Sequence, residues 1–141
     1  MTKGRVLALD VGKKRVGVAM SDEAQVAVSP YCVLAYRGAA VLAQRINKIV
    51  KEQGVVAVVV GVPRRTDGKT ADMEIFARRI IEALRKVLPC PVEEFVEFYT
   101  TTIAQRLIGK RSQKGDTDMK AAQIILADYL RHLQIRPNQE E

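Results

Sequence analysis

Asp10 ends a short apolar run, Val6-Leu7-Ala8-Leu9, and a glycine turn at Gly12 and three cations, Lys13, Lys14 and Arg15, follow it. A carboxylate at the end of a buried strand is costly to leave unpaired. It calls for a metal, a cationic partner or water. Two more acids stand at the ends of expected elements: Glu97, near the end of the last apolar strand, and Asp118, opening the last helix. Carboxylate oxygens and water are the ligands Mg2+ or Mn2+ prefers. Two such ions about 4 Å apart suit phosphodiester hydrolysis, one activating water and the other stabilising the leaving oxygen. A shared Asp10 could bridge them, with Glu97 and Asp118 completing the flanking shells.

Each acid also has a plainer reading. Asp10 could order the Gly12 turn, but turn chemistry does not need an aspartate at a strand end. Glu97 reads equally well as a solvent-facing strand residue beside Glu93 and Glu94. Asp118 could serve the helix dipole, yet Asp116 and Thr117 already offer capping groups. Asp22 and Asp67 read as turn residues.

The elements that must position these acids follow from hydrophobic period. Continuous apolar runs at 6–9 and 55–60 predict central strands, the second ending at Gly61-Val62-Pro63 where the chain must leave the sheet. Strands at 15–21 and 25–34, joined by short connections, complete an antiparallel meander with the first. Helices are expected over 40–53, closed by Gly54, and over 71–88, closed by Pro89 and Pro91. A last strand covers 92–99. A short helix at 103–108, a basic loop at 109–116 and a final helix at 117–133 follow. The order βββαβαβαα predicts an α/β fold of ribonuclease-H-like type, with a mixed five-stranded sheet flanked by helices. Residues 1–135 are expected as a single domain, with 136–141 as a polar tail. In that fold the first and fourth strands are neighbours, and Ala121-Ala122 let the last helix approach them closely, bringing Asp118 towards Asp10.

The chain of 141 residues carries a net charge of +7, which argues for a polyanionic partner, most simply nucleic acid. Lys13, Lys14, Arg15, Arg64, Arg65, Lys110, Arg111 and Lys114 fall in expected loops or element ends, where they would form a phosphate-binding surface. Two cysteines, Cys32 and Cys90, fit neither a zinc site nor a redox motif. His132 is the only histidine, so a Ser-His-Asp triad has little support. No apolar run reaches the roughly 20 residues of a membrane helix, and no signal-peptide pattern is present, so a cytoplasmic protein with no membrane partner is expected.

Three motifs together resemble the YqgF-type family, described as Holliday-junction resolvases and as nucleases of precursor 16S ribosomal RNA. They are LALDVGKKRVGVAMSD at 7–22, VVVGVPRRTDGKTA at 58–71, and TTTIAQRL at 100–107 followed by DMKAAQIILADYL at 118–130. The resemblance covers nearly the whole chain. It implies a bacterial, cytoplasmic, metal-dependent nuclease acting on the 5′ region of precursor 16S RNA or on branched DNA. A junction-cutting enzyme would be a symmetric homodimer, since two opposed strands must be cut. One segment departs from the family. Where Asp-Glu-Arg-Leu usually stands, alignment on Ala104 and Arg106 gives Val96-Glu97-Phe98-Tyr99, and a slide by one residue puts Glu97 at the Asp position instead. One carboxylate survives there and the arginine does not.

That departure supports a reading from another class, a nucleic-acid binding module with a decayed catalytic site. Asp10-Val11-Gly12 also resembles the phosphate loop of actin-like ATPases, but those enzymes close two such domains around a nucleotide and this chain offers one. A Walker-A pattern is absent.

Overall fold

The computed structural model describes residues 3–65, 72–99 and 114–135. Among them are five strands and three helices in the order β1 (Arg5–Val11), β2 (Arg15–Ser21), β3 (Val28–Ala35), α1 (Ala39–Gln53), β4 (Val55–Arg65), α2 (Asp72–Val87), β5 (Val92–Tyr99) and α3 (Lys114–Ile135). The expected short helix at 103–108 lies outside the described residues.

The strands form one sheet in the order β3-β2-β1-β4-β5. β1 pairs antiparallel with β2, and β2 with β3. β1 and β4 are parallel, as are β4 and β5. The two continuous apolar runs thus sit side by side at the centre, the place for strands covered on both faces. Leu7, Ala8, Leu9, Val58, Val59 and Val60 are fully buried.

Side-chain alternation along each strand sorts the core into two layers. Leu7, Leu9, Val16, Val18, Val58, Val60 and Val62 pack with Leu42, Ala43 and Ile46 of α1 and Ala77, Ile80, Ile81 and Leu84 of α2. Val6, Ala8, Ala19 and Val59 pack with Ala122, Ile125, Leu126, Tyr129 and Leu130 of α3. The crossovers β3–α1–β4 and β4–α2–β5 both step in the same direction across the sheet. A common crossover hand therefore puts α1 and α2 on one face, leaving the other to α3. The α1 apolar stripe recurs at helical spacing, and its C-terminus is closed by Gly54 at φ 65°, whose N–H donates to Val50 O.

Three boundaries differ from expectation by three residues or more. β3 starts at Val28, not at 25, because Asp22 builds a wider turn. Its carboxylate accepts the N–H groups of Val26 and Ala27 at 2.8 and 3.1 Å, and Gln25 adopts φ 63°, which no strand continues through. β4 does not leave the sheet at Gly61-Val62-Pro63. It runs on to Arg65, paired with β5 through Arg65 opposite Tyr99. Its last pair with β1 is Leu9 opposite Val60, so Pro63 sits where only one side of the strand is paired and a missing N–H is tolerated. α3 begins at Lys114, so Lys114 is a helix residue rather than a loop residue, and Asp118 lies in the second turn instead of opening the helix.

Candidate metal and nucleic-acid site

Asp10 is the penultimate residue of β1 and is partly buried. By alternation it shares the face of Val6 and Ala8, the face covered by α3. It pairs with Gly17 of β2. On the other side, Leu9 opposite Val60 brings Asp10 level with Gly61 of β4. The carboxylate is thus flanked on both neighbouring strands by positions without side chains. Gly61 has a packing reason as well: a Cβ there would lie 2.5 Å from Ile125 Cδ1 of α3. With Ala8, Ala19 and Ala122, all fully buried, this makes a sheet face low enough for α3 to lie close above it.

Beyond Asp10 the chain turns sharply. A Cβ on Gly12 would meet the Arg15 carbonyl oxygen at 2.7 Å, so only glycine fits there without moving backbone. Lys13 and Lys14 stand exposed on this turn, and Lys14 O accepts the Tyr36 N–H at 2.9 Å. Arg15 opens β2 and is partly buried.

Glu97 pairs with Pro63. Phe95, two residues earlier, packs in the α3 layer, and Glu93 accepts a hydrogen bond from the Tyr129 hydroxyl at 3.1 Å. Glu97 holds the next register position of that alternation. Two strand spacings and two residues of rise separate the Cα atoms of Asp10 and Glu97, about 12 Å. Asp118 stands one turn before Ala122, a fully buried residue of α3. Strand register therefore sets Asp10 and Glu97 towards the same end of the sheet. The side chains of Glu97, Asp118, Arg64, Arg65 and Lys114, and the whole of Lys110 and Arg111, lie outside the described residues. No cluster of three or more His, Cys, Asp or Glu occurs among the described residues.

The remaining titratable groups have structural explanations. Asp22 is held below the usual carboxylate range by the Val26 and Ala27 N–H groups; it is the turn residue expected. His132 is exposed, with Nδ1 3.0 Å from Asp128 O and its ring edge on Phe95 at 5.2 Å. Cys32 and Cys90 are free and partly buried, and burial pushes both thiols up. No helix among the described residues is long and apolar enough to cross a membrane.

Sequence reasoning missed the part played by Gly17 and Gly61. The available signal was a glycine inside each strand run, which marks close approach of a neighbour.

Comparisons with known proteins bear on this arrangement. A family model described as "RuvX: Holliday junction resolvase" matches residues 4–132. A protein of Chloroflexus aggregans described as "Putative pre-16S rRNA nuclease" is 38% identical over 136 residues, covering 92% of this chain and 95% of its own length. A protein of Mycobacteroides abscessus with the same description is 37% identical over 139 residues, covering 91% and 81%. Among solved structures, Thermus thermophilus RuvC in complex with Holliday junction substrate superposes with a TM-score of 0.60 over 94% of this chain and 96% of that one. The identity there is 11%, so this likeness speaks for the fold, a ribonuclease-H-like one. With a family model spanning nearly its whole length and full-length relatives at this identity, the chain belongs to the RuvX family, the YqgF-type family of Holliday junction resolvases.

Proposed function

We propose that the protein is a divalent-metal-dependent nuclease that hydrolyses phosphodiester bonds in structured nucleic acid, with precursor 16S ribosomal RNA as the first substrate and a four-way DNA junction as the second. The observation that carries this reading is Asp10. It stands at the C-terminal end of the central strand, between Gly17 and Gly61, beside an exposed basic turn. A purely structural aspartate has no need of two glycine neighbours and two exposed lysines. The descriptions of the family and of its relatives supply the substrate classes.

Three carboxylates are a hard oxygen donor set and fit Mg2+ or Mn2+. Asp10, Glu97 and Asp118 would hold the metal, which would supply an activated water and stabilise the leaving oxygen. The chain's own residues do the rest. Asp10, fixed by its strand pairing, sets where the scissile phosphate sits. Lys13, Lys14 and Arg15 grip phosphates next to it. Arg64, Arg65, Lys110, Arg111 and Lys114 would extend that grip, positioning the backbone without reading sequence. Ribosomal RNA processing puts the proposed activity in the cytoplasm. On a junction the enzyme would act as a homodimer.

The test is a cleavage time course with Mn2+ for wild type and Asp10→Asn, on an RNA with a 16S precursor 5′ extension and on a four-way DNA junction. Wild type is expected to cut at least one substrate, and Asp10→Asn to bind it uncut. If both proteins bind and neither cuts either substrate, the Val96–Tyr99 departure marks a binding module and the nuclease reading falls.

A further inference from the structure

The positive charge of this protein is not spread evenly. Between Asp10 and Glu52 the only acids are Asp22 and Glu23, against seven cations: Lys13, Lys14, Arg15, Arg37, Arg45, Lys48 and Lys51. The two acids belong to the turn between β2 and β3, at the far end of the sheet from Asp10, where Glu23 O accepts the Gly4 N–H. Six of the seven cations are exposed, Arg15 being partly buried.

Three contacts tie most of them to one corner. Tyr36 N–H donates to Lys14 O at 2.9 Å. Arg15 pairs with Ala35 across β2 and β3. Arg45 Nη1 donates to Ala35 O at 3.4 Å. The β1–β2 turn beside Asp10, the link into α1 and the Arg45 side chain therefore meet at the end of β3. From Arg45 to Lys51 the stripe continues about 9 Å along the α1 axis, the axial run of about three base pairs.

The opposite edge of the sheet differs. From Glu74 to Glu94 the sequence has four acids and four cations, which balance, and Arg78 is paired with two of the acids. Arg78 Nη1 lies 2.6 Å from Glu94 and its Nη2 3.4 Å from Glu74. Arg85 donates to Val92 O at 2.8 and 3.0 Å. Among the described side chains, a phosphate chain leaving the Asp10 end finds net positive charge on the β3–α1 side. Along α1 itself unpaired bases would find no stacking platform, the exposed aromatic of this side, Tyr31, standing on β3. α1 has no aromatic residue, and Tyr36 is partly buried with its ring edge-on to Phe76 at a centroid distance of 5.0 Å. Single-strand sites rely on such platforms.

We infer that the β3–α1 edge, carrying Arg37, Arg45, Lys48 and Lys51, is the track on which the phosphate backbone of a base-paired arm of the substrate lies as it leaves the Asp10 end. This inference rests on the nuclease reading above and adds a direction to it.

The test compares three proteins in Ca2+, by anisotropy titration of a four-way DNA junction and of a stem-bearing RNA across 50–200 mM salt. They are wild type, the edge variant Arg37→Ala/Arg45→Ala/Lys48→Ala, and a control variant Arg79→Ala/Lys86→Ala on the opposite edge. Because Arg45 also bonds Ala35, the pair Lys48→Gln/Lys51→Gln provides a second edge variant that leaves that bond in place. The edge triple is expected to lose at least tenfold in affinity and to flatten the salt dependence by about 2 to 3 in slope, near 0.9 for each phosphate contact removed. The lysine pair should lose less in the same sense, and the control should stay within twofold of wild type. Equal losses in edge and control variants, or unchanged edge variants, overturn the track while leaving the nuclease reading intact. The duplex assignment falls if the edge variants lose as much affinity for an unstructured oligonucleotide. Wild type binding neither substrate overturns both readings.

Discussion

Ile125 of α3 sits directly over Gly61 of β4, so close that a Cβ on the glycine would lie 2.5 Å from its Cδ1 and 3.1 Å from its Cγ1. Ile125 is 2% exposed, so it has nowhere open to retreat. Helix and strand meet here at the level of Asp10, and the contact fixes how far α3 stands above the candidate site.

Gly61→Ala is therefore expected to destabilise the protein by about 1–3 kcal/mol through overpacking. Ile125→Val removes the Cδ1 atom and by itself costs about 0.5–1.5 kcal/mol. In the double variant the two losses should sum to less than their separate values, as contacting positions do. Denaturant unfolding of the four proteins measures the coupling. Strictly additive losses would mean that α3 does not bear on Gly61.

Metal binding should register in stability as well as in cleavage. Mn2+ at a hundred times its dissociation constant is expected to stabilise the wild-type fold by about 2.7 kcal/mol, by mass action. Asp10→Asn should lose most of that gain while unfolding normally in the absence of metal. Thermal melts with and without Mn2+, repeated after EDTA, check this; an equal shift in both proteins would place the metal elsewhere.

Asp22 gives a pH prediction with a definite sign. The Val26 and Ala27 N–H groups lower its folded-state value, and a lowered carboxylate stabilises above its unfolded value and loses that contribution as pH falls through the folded one. Asp22→Ala should therefore melt below wild type at pH 7, with the gap closing as pH drops below about 4. A gap that stayed constant to pH 2.5 would mean that the carboxylate charge contributes nothing to the turn.

Much of this was legible in the chain because its signals are local. Continuous apolar runs marked β1 and β4 as central, and helical spacing marked the buried faces of α1 and α2. Gly54 marked the α1 terminus. What escaped depended on long-range pairing. Pro63 looks like a strand terminator, but β4 outlasts its partner β1 and has an open side on which a proline is tolerated. Gln25 looked like strand, but the Asp22 carboxylate three residues earlier organises the loop around it. Lys114 looked like loop because Gly115 and Asp116 are poor helix interior residues, yet the helix includes them. The acids at 10, 97 and 118 were singled out by residue type and element end, and for Asp118 the element end itself moved, to Lys114. The glycines beside Asp10 were not, because their meaning lies in what crosses above them.

The alternation of β1 has one more consequence. Leu7, Leu9 and Val11 pack to one layer, while Val6 and Ala8 pack to the other and share their face with Asp10. A slip of β1 by one residue would turn every one of these side chains over. Such a molecule would bury polar groups and would also carry Asp10 on the α1/α2 side, away from the small-residue face. Correct folding and the capacity for chemistry are thus set by one structural variable. The specific activity of a preparation, divided by that of fully native protein, would count its correctly registered molecules, with no partially competent species in between.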